Sequence, residues 1–270
     1  MVLDSKDVGV SLGTLAPAAM DVVLDGAADA GFGSIAIWQP HIDAARAAGM
    51  SLQDLRAALD QRGLSIVCWE SMFSWLGDDA TAKANETALA LQACDALAPT
   101  TIGSVYLDAE PVSLEKSAEA YAAMCAPFES HDVVVGLEPI AWSGISSIRE
   151  AVDIVRTSGV PNGGIILDFW QWYRAGADEQ ALSELEPGDV ALIQICDAAD
   201  ESPANLLDDT LKNRRLPGQG VADVAKRLRA LLDRGIEAPI VLEVFNDDFF
   251  AVSPRDACSA MASSLADLQV

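Results

Sequence analysis

The chain has 270 residues, 51% of them hydrophobic, and its 17 basic and 41 acidic side chains leave a formal charge of −24. That apolar content excludes global disorder, and so acidic a surface repels polyanions, which argues against nucleic acid and anionic membranes as partners. No apolar run approaches the roughly 20 residues of a membrane span. The first ten residues carry acids where a secretory leader carries bases, so a cytoplasmic protein is expected. Five cysteines (Cys68, Cys94, Cys125, Cys196 and Cys258) are odd in number and form no C-x-x-C pair. That is the pattern of reduced thiols rather than of a disulfide frame or a zinc–cysteine cluster.

Along the chain, short β-rich runs alternate with Ala/Leu/Asp-rich helical stretches. The predicted strands are 8–12, 34–38, 64–69, 101–107, 133–138, 164–168, 190–197 and 240–244. Most are continuous apolar runs, as expected of strands buried on both faces. Helices are predicted between them, for example at 51–61, 80–98 and 221–232, each with an apolar stripe at helical spacing. Gly31, Gly63, Gly159 and Gly235 each stand between a helical run and the next strand, where a helix C-terminus calls for glycine. Strand–helix units of about 30 residues would fill the chain as a single (β/α)8 TIM barrel spanning residues 1–270. A doubly wound dinucleotide fold is disfavoured, because no G-x-G-x-x-G turn follows the first strand.

In such a barrel, chemistry collects at the C-terminal ends of the strands. Glu70 follows the third strand, and Asp108 and Glu110 follow the fourth. Glu138, Asp168 and Glu243 close the fifth, sixth and eighth, with Gln194 and Asp197 near the end of the seventh. Burying several anions at one mouth is costly unless protons are taken up or a cation compensates. A divalent ion held by oxygen ligands would answer that cost.

The segments VVVGLEP around Glu138, GIILDFW around Asp168, ALIQICDA around Gln194, RRLPGQG at 214–220 and APIVLEVFN around Glu243 resemble the xylose-isomerase-like barrel superfamily. The resemblance covers the C-terminal half in order and spacing. It implies a metal set of Glu138, Asp168 and Glu243, with Gln194 standing where the family carries histidine. Gln171 likewise replaces a second family histidine. An amide in place of imidazole leaves oxygen-only ligation, which favours manganese or magnesium over zinc. Endonuclease IV, a member of the superfamily with a histidine-rich metal cluster, is excluded because only His41 and His131 are present. His131 precedes a strand and reads as structural; His41 follows the second strand and is a candidate substrate contact. The resemblance also places an arginine of the R-x-x-P-G-x-G segment near the substrate, taken here as Arg215, and Arg174 is a candidate for orienting an anionic oxygen.

All six tryptophans fall at or just after predicted strand ends. Trp38, Trp69, Trp142 and Trp172, together with Gln171, are the expected substrate contacts, and so apolar a mouth suits a bulky or aromatic-ring-bearing substrate. The implied reaction is that of a metal-dependent isomerase or epimerase acting beside a carbonyl through an enediolate, with Glu138 and Glu243 exchanging protons. A lyase eliminating a β-substituent from the same enediolate is the first alternative. A non-catalytic ligand-binding subunit and a metal-free isomerase with paired glutamates are the others. The expected partner is a small molecule, and self-association into a homo-oligomer is left open.

Overall fold

Eight parallel strands close on themselves in chain order in a computed structural model that describes residues 3–201 and 204–268. They are β1 (Gly9–Ser11), β2 (Ser34–Trp38), β3 (Ser65–Met72), β4 (Thr101–Val105), β5 (Val134–Glu138), β6 (Gly163–Asp168), β7 (Val190–Ile195) and β8 (Ile240–Leu242). β1 pairs with both β2 and β8, which removes the exposed edges. Helices connect successive strands, so the architecture is a (β/α)8 TIM barrel.

The apolar runs are continuous because alternate residues serve two cores. Ile165, Leu167, Ile193 and Ile195 face outward into the large cluster shared with the helices. Ala36, Cys68, Ile166, Leu192 and Val241 belong to a separate small cluster that fills the barrel interior. The helices start and stop where local chemistry directs. Ser51 with Asp54 and Ser147 with Glu150 form reciprocal capping boxes at two N-termini. Gly63 and Gly159 close the same two helices, Leu52–Arg62 and Ile148–Ser158, both at φ +66°.

Three strands stop two residues short of the sequence expectation, and β1 stops one short, at Ser11. β4 ends at Val105 rather than 107, β7 at Ile195 rather than 197, and β8 at Leu242 rather than 244. Above them the loops bond to one another instead. Arg214 N donates to the Phe245 carbonyl at 3.0 Å, and Asp197 and Arg215 exchange backbone bonds at 2.8 Å. The helix predicted at 221–232 begins only at Val224, because residues before it are held in that loop cluster. β3 errs the other way: it extends to Met72 with a register irregularity between Glu70 and Met72, which makes Glu70 a barrel residue rather than a loop one.

Candidate active site

Strand parity builds the site. Side chains two apart share a face, so Glu70, Asp168, Gln194 and Glu243 project inward one layer above Cys68, Ile166, Leu192 and Val241. Glu138 does the same above Gly136, whose inner position is shown by the Ile166 side chain only 2.6 Å from where a Cβ would sit. Asp168 and Gln194 are direct register partners across β6 and β7.

One carboxylate oxygen from each of Glu138, Asp168 and Glu243 lies within 4.8 Å of the others. Asp168 is held most firmly. Its Oδ1 accepts from the Trp170 and Gln171 backbone amides at 2.6 and 3.1 Å, capping the helix Phe169–Arg174. Its Oδ2 accepts from Arg214 Nη1 at 2.7 Å, and the same nitrogen lies 3.3 Å from Glu243 Oε2. Thr210 anchors the guanidinium from the other side, its hydroxyl and carbonyl accepting from Nη2 and Nε at 2.8 and 3.0 Å. The guanidinium also lies over the Phe245 ring, 4.7 Å from its centroid.

Burial pushes the Glu70 and Glu138 carboxyls well above the usual range, and the Glu243 charge adds to it. Burial raises Glu243 to about 7, although Arg214 pulls the other way. Arg214 is thus one cation among four inward acids, and without a second cation the crowding is met by holding protons on the carboxyls. Gln194 is fully buried and, among the described residues, neither of its amide atoms has a hydrogen-bond partner; Glu243 Oε1 is a second such buried oxygen. Unpaired oxygens and clustered carboxyls that could give up their protons to a cation are what a divalent ion with oxygen ligands satisfies, so this donor set fits one.

Above the layer opens a cavity of about 450 Å³, lined by Trp38, Trp142, Gln171, Glu138, Glu243 and Phe245 among others. Gln171 Oε1 accepts from the Ala141 amide at 3.0 Å, which leaves its NH2 group as a donor. Phe73, Leu107, Leu207 and Leu211 line the same cavity at its rim, 41, 54, 50 and 39% exposed.

Several predicted contacts lie elsewhere. Trp69 has the opposite parity on β3 and is buried among the barrel helices. Trp172 donates to the Asp178 carbonyl at 3.2 Å and lies under Arg227, away from the cavity. His41 sits on the helix Gln39–Ala47 beside the Leu12 backbone; its neighbours Gln39 and Pro40 line the cavity, and it does not. His131 pairs with Asp95 at 3.3 Å before β5, on the far side of the barrel. Arg174 is engaged in a buried ion pair with Asp209 at 2.8 Å. Arg215 is exposed, and the buried arginine is Arg214. Adjacent residues of an extended segment point opposite ways, so only one of the pair can turn inward. Counting back from Pro217, the R-x-x-P spacing itself falls on Arg214.

Asp197 explains that segment. Its Oδ1 accepts from the Ala198 and Ala222 amides at 2.9 and 2.8 Å, and its Oδ2 from Gly218 at 3.1 Å. A Cβ at Gly220 would stand 2.2 Å from the Ala198 carbonyl oxygen, so glycine is required there.

A family model described as the xylose isomerase-like TIM barrel matches residues 24–267. The chain belongs to this family. Among curated proteins, this xylose isomerase-like barrel is similar to a 3-dehydroshikimate dehydratase of Pseudomonas putida, 31% identical over 137 residues, or 50% of this chain and 21% of that protein. It is also similar to an inosose isomerase of Bacillus subtilis, 23% identical over 180 residues, or 62% of this chain and 64% of that protein. The matched stretch therefore spans less than two thirds of either relative. A solved structure of the IolI protein with a bound zinc atom superposes with a TM-score of 0.86 over 97% of both chains at 19% identity, a likeness of fold. No helix among the described residues of the barrel is long and apolar enough to cross a membrane.

Proposed function

We propose that this barrel is a divalent-metal-dependent isomerase or epimerase acting beside a carbonyl through an enediolate, on a hydroxy-carbonyl substrate that carries a bulky apolar or aromatic ring. The observation that carries the reading is the inward layer of Glu138, Asp168, Gln194 and Glu243 under an apolar-walled cavity. Those four residues would hold the ion, and their oxygen-only donors suit manganese or magnesium. When bound, the ion supplies Lewis acidity toward a substrate carbonyl or hydroxyl oxygen.

The remaining work falls to the chain's own groups. Glu138 and Glu243 enter from strands on different sides of β6 and β7, so each can hold or return a proton beside the carbonyl. Arg214, fixed by Thr210 and Asp168, offers a rigid positive field toward developing negative charge on an oxygen. The Gln171 amide donates to a substrate oxygen at the position the family histidine would occupy. Trp38, Trp142 and Phe245 pack against the ring and exclude water. His41, Trp69, Trp172 and Arg215 have no part in this account.

Elimination of a β-hydroxyl from the same enediolate is the second reading, and the similarity to a 3-dehydroshikimate dehydratase favours it. One experiment separates the two. Inosose and 3-dehydroshikimate are incubated in D2O with the manganese-loaded protein and followed by NMR. Deuterium entering beside the carbonyl with the carbon skeleton intact supports isomerisation. Loss of water with a new double bond supports elimination. Neither change, in a protein that also retains no metal, turns the assignment to a ligand-binding barrel; turnover indifferent to chelator turns it to a metal-free glutamate pair.

A further inference from the structure

Glu70 is the inward carboxylate that the ion-holding set leaves over. Its Oε1 is buried without a hydrogen-bond partner among the described residues, and the side chain lines the cavity. The charged groups around it are Glu243, Glu138, Asp168 and Arg214, so three of the four repel it. Arg214, the one cation among these four, is already committed to Asp168, Glu243 and Thr210. A dry, unpaired carboxylate oxygen is costly until something donates to it.

The barrel makes room for this side chain. At Gly103 on β4 a Cβ would stand 2.9 Å from Glu70 Cγ and 3.3 Å from Cys68 Sγ, so the neighbouring strand carries no side chain where Glu70 lies. On the other flank, Trp38 of β2 is its direct register partner. The Trp38 indole packs against Phe245 with centroids 4.9 Å apart, and both rings line the cavity. An unpaired acceptor thus stands at the foot of an aromatic wall.

We propose that Glu70 is a substrate-recognition residue that accepts a hydrogen bond from a hydroxyl or ammonium group carried next to the ligand's apolar ring, and so sets which way the ring enters. The proposal rests on the reading of this cavity as the substrate site, but not on which reaction follows. A ligand with a donor at that position satisfies Glu70 while its ring lies on Trp38 and Phe245. A ligand that is purely apolar there leaves Oε1 unpaired and binds more weakly.

The test is calorimetric titration of the purified protein with benzyl alcohol, benzylamine and toluene, which share a ring and differ in the donor. Wild type should bind both donors about tenfold or more tightly than toluene. Glu70→Gln keeps an acceptor oxygen but cannot ionise to meet an ammonium group, so benzylamine should weaken about tenfold and benzyl alcohol by about threefold or less. Glu70→Leu should weaken both donors about tenfold and leave toluene unchanged or tighter. Gly103→Ala, which displaces the carboxylate without removing it, should move both donors in the same direction. Circular dichroism checks that each variant is folded. A response of benzylamine alone identifies an ammonium group; a response of both shows that a hydroxyl suffices. Donor affinities unchanged in Glu70→Leu, or a wild type with no preference over toluene, overturn the proposal. Its failure is distinguishable from failure of the functional reading, which is decided by metal retention and deuterium exchange in wild type.

Discussion

Arg214 Nη1 stands 2.7 Å from Asp168 Oδ2, with the two side chains 3 and 0% exposed. The same nitrogen reaches Glu243 at 3.3 Å, so one guanidinium ties β6 to β8 across β7. Loss of one partner from such a buried pair leaves an uncompensated charge, which costs about 3–5 kcal/mol. Arg214→Met should therefore lower the free energy of unfolding in urea by about that amount. Arg215→Met, one residue along but exposed, should change it by less than about 0.5 kcal/mol.

A divalent cation should restore what Arg214 alone does not supply. Manganese at about 100 times its dissociation constant should stabilise the wild-type protein by about 2.7 kcal/mol, seen as a rise in the thermal midpoint. Glu243→Gln should lose most of that rise. An equal rise in both proteins would place the ion elsewhere.

Catalysis should depend on Glu138 more than folding does. Glu138→Gln is expected to lower kcat about 100-fold or more while unfolding remains cooperative at a midpoint no lower than wild type. The amide removes one anion from a crowded mouth, so stability should rise if it moves at all. Undiminished turnover would remove Glu138 from the acid–base pair.

His41 gives the protein an acid-sensitive element outside the cavity. Burial lowers its pKa below the ordinary 6.5, so just under that pH an unfolded chain takes up a proton that the native ring refuses. Stability therefore falls as pH drops from about 6.5 toward the native pKa, and His41 contributes no pH dependence above that window. His41→Asn should flatten this segment of a stability–pH curve measured by urea unfolding. Activity at neutral pH should be retained, because the ring does not line the cavity.

Asp197 delivers Arg214 without touching the cavity. Its three backbone acceptor bonds hold both ends of the 197–222 segment. Asp197→Ala should destabilise by about 3 kcal/mol, since hydrogen bonds to a charged group contribute about 1.5–3 kcal/mol each and neighbouring ones are not additive. It should also lower kcat more than it raises KM, because the guanidinium would lose its fixed place. Asp197→Asn, which keeps one acceptor, should recover part of both.

The local sequence was sufficient for the barrel. Apolar runs with inner and outer residues interleaved, separated by helices ending at Gly63 and Gly159, leave few arrangements other than parallel strands wound by right-handed crossovers. It was also sufficient to single out Glu138, Asp168, Gln194 and Glu243 as candidates, since each is a polar residue at or near the end of an otherwise apolar run. Which neighbouring residue turns inward was decided by tertiary structure. Glu70 joined the mouth because β3 runs on past Trp69 along β4, and Trp69 left it because its parity faces the helices. Arg214 rather than Arg215 reached Asp168 because Asp197 and Asn246 fix the backbone of that segment: Asp197 and Arg215 pair through their backbones, and the Asn246 amide donates to the Arg214 carbonyl at 2.9 Å. A strand's alternation is written in its own residues, whereas the orientation of a loop residue depends on what distant segments bond to it. For that reason the carboxylates were legible one by one, and the cation among them was not.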